Sequence, residues 1–199
     1  MNKPIKCSPV FPLGTILFPG IPLDLKIFEQ RYLELVKESL KSSNPFVIAP
    51  IIKGKEVGET PEVFPYGVLV NIIDWSQLSG GLLGITVQGN TRVALSDNKI
   101  NEQNLMLASI RKLPLPNLKS QIEAHDFDLL EFFNELTSQM GSTSTYTPEN
   151  LSLGELIWRL AYILPLSRED KYKLLKTDSA ATNTALLRRI LSSRIKSPR

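Results

Sequence analysis

The chain has 199 residues, of which 42% are hydrophobic and 22% are charged, and its formal net charge is +3. This composition is typical of a globular protein with a buried core, and the length fits one large domain or two small ones. A net charge this small does not by itself indicate a polyanionic partner. Cys7 is the only cysteine, which excludes an intrachain disulfide, and no apolar window reaches the length of a membrane span. Because the N-terminal residues also lack the apolar core of a signal peptide, we expect a cytoplasmic protein.

The first part of the sequence predicts a strand, a turn and a helix in close succession. An apolar run over residues 9–18 is followed by Pro19-Gly20, a typical turn pair. A helix is predicted over residues 29–41, because apolar residues recur every three to four positions and charged residues take the opposite face. The predicted core-facing stripe consists of Phe28, Tyr32, Leu35, Val36 and Leu40.

Short strands are predicted between this helix and residue 113. They cover residues 46–52, 68–75, 82–87, 92–95 and 105–113, with a polar loop over 53–65 and a polar turn over 97–104. Short strands of this number, with one early helix, predict a small and partly closed β-barrel.

The periodicity of the apolar residues changes to that of helices after Pro114. Helices are predicted over about 120–140, 153–164, 167–176 and 186–195. Ser152 and Glu155 have the spacing of a capping box, which predicts the start of the second of these helices. We therefore predict an α+β protein, with a β-rich domain over residues 1–116 and an all-α helical bundle over residues 117–199.

Residues 84–91 are similar to the phosphate-binding pattern G-x-x-x-x-G-K-[ST], but Asn90 stands where that pattern needs lysine. The residues between the two glycines alternate apolar and polar side chains, as in a half-buried strand. We predict a strand and a turn here rather than a nucleotide site.

His125 is the only histidine, and it lies in an acidic segment with Glu123, Asp126 and Asp128. Acidic residues at the start of a helix complement the helix dipole, which explains the segment without catalysis. One histidine and one cysteine do not suffice for a zinc site of the usual kind. We predict no catalytic residues, no metal and no cofactor.

The C-terminal end is basic, since residues 179–199 carry five basic side chains and no acidic one. These are Arg188, Arg189, Arg194, Lys196 and Arg199. Such a cluster could contribute to RNA binding, but no aromatic residues are interleaved with it as a stacking platform requires. A basic helix end that complements the helix dipole is the favoured explanation of the cluster, and RNA binding by the barrel and this end is the alternative function.

Two groups of apolar residues fall in predicted loops, where they are the candidate peptide-binding residues. They are Val63, Phe64 and Tyr66 around Pro65, and Leu78, Leu82 and Leu83 around Gly80-Gly81. Exposed, these side chains would form a patch able to hold an unfolded peptide. Buried, they would close the end of the barrel, and both interpretations remain open.

A run of specific residues in the opening segment is typical of one protein family. In order, they are Phe11, Pro12, Leu13, Phe18, Pro19, Gly20, Phe28, Glu29, Arg31 and Tyr32. They resemble the opening of the Lon N-terminal domain family, the substrate-recognition domain of an ATP-dependent protease, which also occurs as a free-standing protein. Residues 46–48, 67–72, 89–93 and 153–178 also fall where the family has matching segments.

The resemblance implies a barrel of the PUA-like type followed by a helical bundle. It also implies a binding module for unfolded or tagged polypeptides, or for a protein partner, that acts as an adaptor or regulator of proteolysis. The ATPase and Ser-Lys protease modules of Lon have no counterpart in these residues, so we expect neither ATP nor peptide hydrolysis. The motif residues are expected to be structural, with Arg31 in an ion pair rather than at a ligand.

Overall fold

Two units of different secondary structure make up the chain. The computed structural model describes residues 5–114, 120–141 and 145–195, and its two units are Met1–Pro114 and Leu115–Arg199. Strands dominate the described residues of the first unit, and the described residues of the second unit contain helices and no strand. The predicted α+β class, β-rich first and helical afterwards, is confirmed.

The first unit contains seven strands and one α-helix within its described residues. They are β1 Ile5–Leu13, β2 Pro22–Ile27, α1 Gln30–Ser42, β3 Phe46–Lys53, β4 Glu62–Val63, β5 Tyr66–Gln77, β6 Leu83–Ile100 and β7 Met106–Lys112. A short 3-10 turn, Ser79–Gly81, joins β5 to β6.

Five of these strands pair in a closed circuit. β1 pairs with β7, β7 with β6, β6 with β5 and β5 with β3, all antiparallel, and β3 returns to β1 as a parallel pair. Alternate side chains of paired strands share a face, so the apolar ones form a common core. This core contains Val10, Val47, Ala49, Val63, Leu69, Val93, Leu95, Met106, Ala108 and Ile110.

β6 is a single strand of 18 residues, whereas the sequence predicts two strands over 82–87 and 92–95. Its second half pairs with β7, and its first half lies between β2 on one side and β5 on the other. We call this three-stranded part, residues 22–27, 71–77 and 83–88, the arm. The prediction of a break was wrong because the chain stays extended alongside β5, where Thr91 pairs with Leu69 and Asn90 lies at a register shift.

The turn at Pro19-Gly20 docks onto the middle of β6. The Gly20 N–H donates to the Gly89 carbonyl at 2.7 Å, and the Gly89 N–H donates to the Ile21 carbonyl at 3.2 Å. A Cβ on Gly89 would lie 2.6 Å from the carbonyl oxygen of Phe18, so this close approach requires glycine. The turn thereby sets the position at which β2 begins.

Most of the predicted stripe of α1 is buried, but Phe28 and Leu40 are 53% and 42% exposed. Phe28 precedes the helix, which begins at Gln30, so the helical period does not direct its side chain to the core. Leu40 lies in the last turn of α1, at its solvent-facing end. The predictions that Phe28 and Leu40 pack in the core were therefore wrong.

The second unit contains α2 Phe127–Gln139, α3 Leu153–Ile163, α4 Arg168–Lys176 and α5 Ala180–Ile195. The predicted capping box is confirmed: the Ser152 hydroxyl accepts from the Glu155 N–H, and the Glu155 carboxylate accepts from the Ser152 N–H. α2 begins at Phe127 rather than near residue 120, since residues 120–123 are not helical and a 3-10 turn, Ala124–Asp126, precedes the helix. Within the described residues, no helix is both long and apolar enough to cross a membrane.

Candidate functional site

The six candidate peptide-binding residues lie at opposite ends of β5. Val63, Phe64 and Tyr66 are near its first residue, and Leu78, Leu82 and Leu83 follow its last. At about 3.3 Å per residue, the 12 residues of β5 place roughly 35 Å of strand between the two groups. The structure does not bring the six residues together in one patch.

The group near the start of β5 turns inward. Val63 is 6% exposed and belongs to the core, while Phe64 and Tyr66 are half-buried. The Phe64 N–H donates to the Pro50 carbonyl at 2.8 Å, which fixes this loop on β3. These positions fit the interpretation in which apolar loop residues close the end of the strand circuit.

The group after β5 is more open. Leu78 is half-buried against Gly84, where an added Cβ would lie 3.0 Å from its Cγ, and Leu83 is also half-buried. Leu82 is 38% exposed. The role of all six residues in peptide binding stays a prediction.

An apolar opening of about 250 Å³ lies alongside β2, where the sequence indicated no site. We call it the β2 groove. The buried side chains of Phe11, Leu13 and Tyr32 line it, together with the exposed side chains of Phe28 and Val57, and residues 24–29 border it without interruption. Val57 stands alone in a polar loop, so the sequence did not indicate it, and the helical period assigned Phe28 to the core.

Two of the residues that line the β2 groove pack against each other through their aromatic rings. The rings of Phe11 and Tyr32 lie 4.3 Å apart between centroids. Burial raises the pKa of Tyr32 to about 12, so its phenol stays neutral at physiological pH. The Glu56 carboxylate accepts from the Gly14 N–H at 2.6 Å and thereby fixes the loop that carries Val57.

The charged residues around the β2 groove are mostly acidic. Asp24, Glu29 and Glu56 contribute three carboxylates, and Lys26 contributes one ammonium group. The Asp24 carboxylate also accepts from the Thr86 hydroxyl at 2.6 Å, which fixes it against β6. Glu29 is paired with Arg31, so Asp24 and Glu56 against Lys26 leave a small excess of negative charge, which favours a ligand with a basic group next to an apolar one.

Arg31 is bound by acceptors of the protein itself. Its guanidinium pairs with Glu29 at 2.9 Å and donates to the carbonyls of Gly58 at 2.8 Å and Asn104 at 3.1 Å. A more open depression of about 650 Å³ adjoins it, lined mainly by polar side chains. The expected ion pair of Arg31 is present, and its purely structural role stays a prediction.

The segments weighed for catalysis lie in a strand and in a 3-10 turn. Residues 84–91 lie within β6 and form no phosphate-binding loop. His125 is exposed in the 3-10 turn before α2, with its ring nitrogens 3.6 Å from Glu123 and 3.4 Å from Asp126. Across residues 5–114, 120–141 and 145–195, no three His, Cys, Asp or Glu side chains are grouped as a metal site requires.

One residue of the basic cluster, Arg188, is bound within the second unit. It donates to the Asp128 carboxylate at 2.7 Å and to the His125 carbonyl at 2.7 Å, joining α5 to the start of α2. The hydrogen bond between Arg188 and Asp128 lowers the pKa of the Asp128 carboxyl and raises the pKa of the Arg188 guanidinium. Arg189 is exposed, and Lys196, Arg199 and the side chain of Arg194 lie outside what the structure describes.

The family follows from the comparison with protein families. The model of the ATP-dependent protease La (LON) substrate-binding domain matches residues 8–193. The chain belongs to this family. Its opening motif is therefore that of a Lon substrate-binding domain, as the resemblance implied.

Similar proteins extend this assignment at low sequence identity. The Lon protease of Cytophaga hutchinsonii is 23% identical over 201 residues, which cover 94% of this chain and 24% of that protease. The chain thus spans about a quarter of the length of that relative.

Two solved structures share the Lon N-terminal domain fold. The Lon N-terminal domain protein from Xanthomonas campestris is 24% identical, with a TM-score of 0.77 and coverage of 92% of this chain and 97% of that one. The N-terminal domain of the Mycobacterium avium complex Lon protease is 16% identical, with a TM-score of 0.66 and coverage of 92% and 96%.

Proposed function

We propose that this chain is a substrate-recognition module that binds unfolded or tagged polypeptides, or a protein partner, and acts as an adaptor or regulator of proteolysis. The observation that carries the proposal is the family match over residues 8–193. The β2 groove supports it, because an open apolar site with acidic neighbours suits an exposed segment of an unfolded chain.

The module performs no catalysis of its own. The one near-match to a phosphate-binding loop is strand β6, and the only histidine has carboxylates but no nucleophile among its ion-pair partners. We expect the purified chain to release neither ADP from ATP nor peptides from casein. A hydrolytic activity on either substrate that co-purifies with the chain and persists through rigorous purification would contradict this part of the proposal.

We further propose that the closed strand circuit is a barrel of the PUA-like type and that the helices of the second unit form a bundle. The pairings of β1, β3, β5, β6 and β7 support the first part. The division near Pro114 supports separate domains over about 1–116 and 117–199. We place the protein in the cytoplasm.

A binding assay tests the proposed function. Fluorescently labelled α-lactalbumin, reduced and carboxymethylated so that it stays unfolded, is titrated with the nuclease-treated chain, and anisotropy is measured. We expect saturable binding, at least about tenfold tighter than for native α-lactalbumin, which corresponds to about 1.4 kcal/mol. Equal affinity for the two forms, or no binding, would contradict polypeptide recognition. Tighter binding of a labelled single-stranded RNA would favour the alternative function.

A further inference from the structure

One edge of the arm is unpaired. β2 pairs with β6 over its whole length, from Pro22 opposite Gln88 to Ile27 opposite Leu83. On its other side, β2 pairs with no strand of the described residues. An unpaired edge exposes backbone N–H and C=O groups that can bind another extended chain.

The register identifies the backbone groups on this edge. The Gly89 N–H donates to the Ile21 carbonyl at 3.2 Å, which makes these two residues a hydrogen-bonded pair in line with the β2–β6 register. Hydrogen-bonded pairs alternate along antiparallel strands, so residues 23, 25 and 27 also bond to β6. The N–H and C=O groups of Asp24 and Lys26 therefore point away from the sheet.

The opposite edge of the arm is protected. The Trp75 N–H donates to the carboxylate of its neighbour Asp74 at 2.8 Å. A register shift between Ile72 and Asp74 further interrupts this edge of β5. Bulges and occupied N–H groups are two of the means by which edge strands avoid pairing, and β2 shows neither between Asp24 and Ile27. Pro22 at its start has no N–H to offer, so the edge is open to pairing from Asp24 onward.

The free edge and the β2 groove coincide. The groove is bordered by every residue from 24 to 29, so it follows the strand to the start of α1. A strand paired with Asp24 and Lys26 would place alternate side chains on one face. An apolar side chain on that face would meet Phe28 and Val57, which are exposed.

We propose that the free edge of β2 binds an extended polypeptide segment as an added strand. Main-chain hydrogen bonds form with Asp24 and Lys26, an apolar side chain enters the β2 groove, and a neighbouring basic side chain faces Glu56. This inference rests on the proposed function and specifies how the module binds its substrate.

This mode of binding explains selection for unfolded chains. Main-chain hydrogen bonds do not depend on sequence, so segments of many proteins can bind, and the groove contributes a preference for apolar and basic side chains. In a folded protein, the backbone groups are already paired within its own secondary structure. Such a segment has no free N–H and C=O groups to offer to β2.

The first test compares two substitutions at one edge position. Lys26→Pro removes the outward N–H and places a ring on the edge, while bonds to β6 use the neighbouring residues. Lys26→Ala removes the same ammonium group and keeps the N–H. The probe is a fluorescent ten-residue peptide of alternating valine and lysine, and its binding is measured by anisotropy.

We expect Lys26→Ala to bind this cationic peptide at least as tightly as the unmodified chain, because a like charge is removed. We expect Lys26→Pro to bind it at least about tenfold more weakly than Lys26→Ala. Circular dichroism and thermal unfolding check that both variants are folded. Equal affinities of two folded variants would overturn the inference.

The second test leaves the protein unchanged, so it does not depend on the folding of a variant. Two versions of the peptide carry N-methyl groups, one on all valines and the other on all lysines. In an added strand with valines towards the groove, only one of these two sets of N–H groups faces β2. We expect one methylated peptide to lose at least about tenfold in affinity and the other to bind as before. Equal affinities would overturn the inference.

The outcomes separate this inference from the proposed function. If unfolded α-lactalbumin binds the unmodified chain and Lys26→Pro equally, strand addition is wrong and polypeptide recognition stands. If neither unfolded α-lactalbumin nor the peptide binds at all, the proposed function fails, and this inference with it. A dimer in sedimentation experiments that Lys26→Pro dissociates would identify a second copy as the occupant and would overturn the inference.

Discussion

The buried side chain of Arg31 connects three segments of the first unit that are far apart in the sequence. It binds Glu29 at the start of α1, Gly58 in the loop before β4 and Asn104 in the turn before β7. Its guanidinium also lies 4.7 Å from the centre of the Tyr32 ring. The motif residues Glu29, Arg31 and Tyr32 thus hold the loop that carries Val57 beside β2.

The sequence identified Arg31 as an ion-pairing residue but could not supply its other partners. Gly58 and Asn104 are 27 and 73 residues away in the chain, and both bind through backbone carbonyls. A carbonyl acceptor has no signature in the residue type, since every residue has one. Partners of this kind become visible only when the fold brings the segments together.

Tyr32 leads to a prediction about alkaline stability. Its pKa is about 12 in the folded protein and near 10 in an unfolded chain. The folded-state pKa is the higher one, so this contribution to stability is complete below pH 10 and is lost as the pH rises through 12. At about 1.4 kcal/mol per pKa unit, we expect a loss of roughly 2–3 kcal/mol from this residue.

Urea unfolding at pH 8 and pH 12 measures this loss. The Tyr32→Phe variant has no phenol to ionise, so its free energy of unfolding should fall less over the same pH interval than that of the unmodified chain. All other residues are the same in the two proteins, so their contribution cancels in the comparison. Parallel declines in the two proteins would show that Tyr32 ionises normally.

At the scale of elements, local signals were predicted well and pairing-dependent ones were not. Ser152 and Glu155 are three residues apart, so their capping box needs no tertiary contact and was predicted correctly. The unbroken course of β6 depends on β5, whose register runs through residues 66–77, and on β7. A polar pair such as Asn90 and Thr91 indicates a turn unless neighbouring strands hold it extended.

The contact between the Pro19-Gly20 turn and β6 predicts the effect of one methyl group. Gly89→Ala would place a Cβ 2.6 Å from the Phe18 carbonyl oxygen, which belongs to the backbone and cannot rotate away. Overpacking of this kind costs about 1–3 kcal/mol. We expect the variant to lose stability in this range in urea unfolding, since the turn must move away from β6.

Gly14→Ala is the matched control for this substitution. Its Cβ would meet the Glu56 carboxylate oxygen at 2.7 Å, but this atom ends a flexible side chain. We expect a cost below about 1 kcal/mol, because the carboxylate can shift at an exposed site. Equal destabilisation by the two variants would mean that the approach of the turn to Gly89 is not tight.

At the scale of the whole molecule, the change of period near Pro114 indicated the order of the two parts. The strand order was beyond the sequence, because β1 and β3 pair in parallel across a helix and the first strand closes the circuit with the last. The free edge of β2 was hidden for the same reason. An edge is a property of the sheet order, and the residues of β2 alternate as those of a central strand do.

The final prediction concerns the independence of the first unit. The strand pairings that close its circuit lie between Ile5 and Lys112. Its C-terminal end is held by Arg92, whose buried guanidinium donates to the Pro114 carbonyl and whose own carbonyl accepts from the Leu113 N–H at 2.9 Å. We expect a fragment of residues 1–116 to fold cooperatively by circular dichroism and urea unfolding.

A fragment of residues 1–112 is the control, because it keeps every strand and loses both bonds to Arg92. Removal of an acceptor from a buried charged donor costs about 1–3 kcal/mol or more, so this fragment should unfold at a lower urea concentration. If the 1–116 fragment is unfolded while the full chain is folded, the strand circuit does not suffice for stability, and the proposed division into two domains is wrong. Equal urea midpoints for the two fragments would instead show that the two bonds to Arg92 do not stabilise this end.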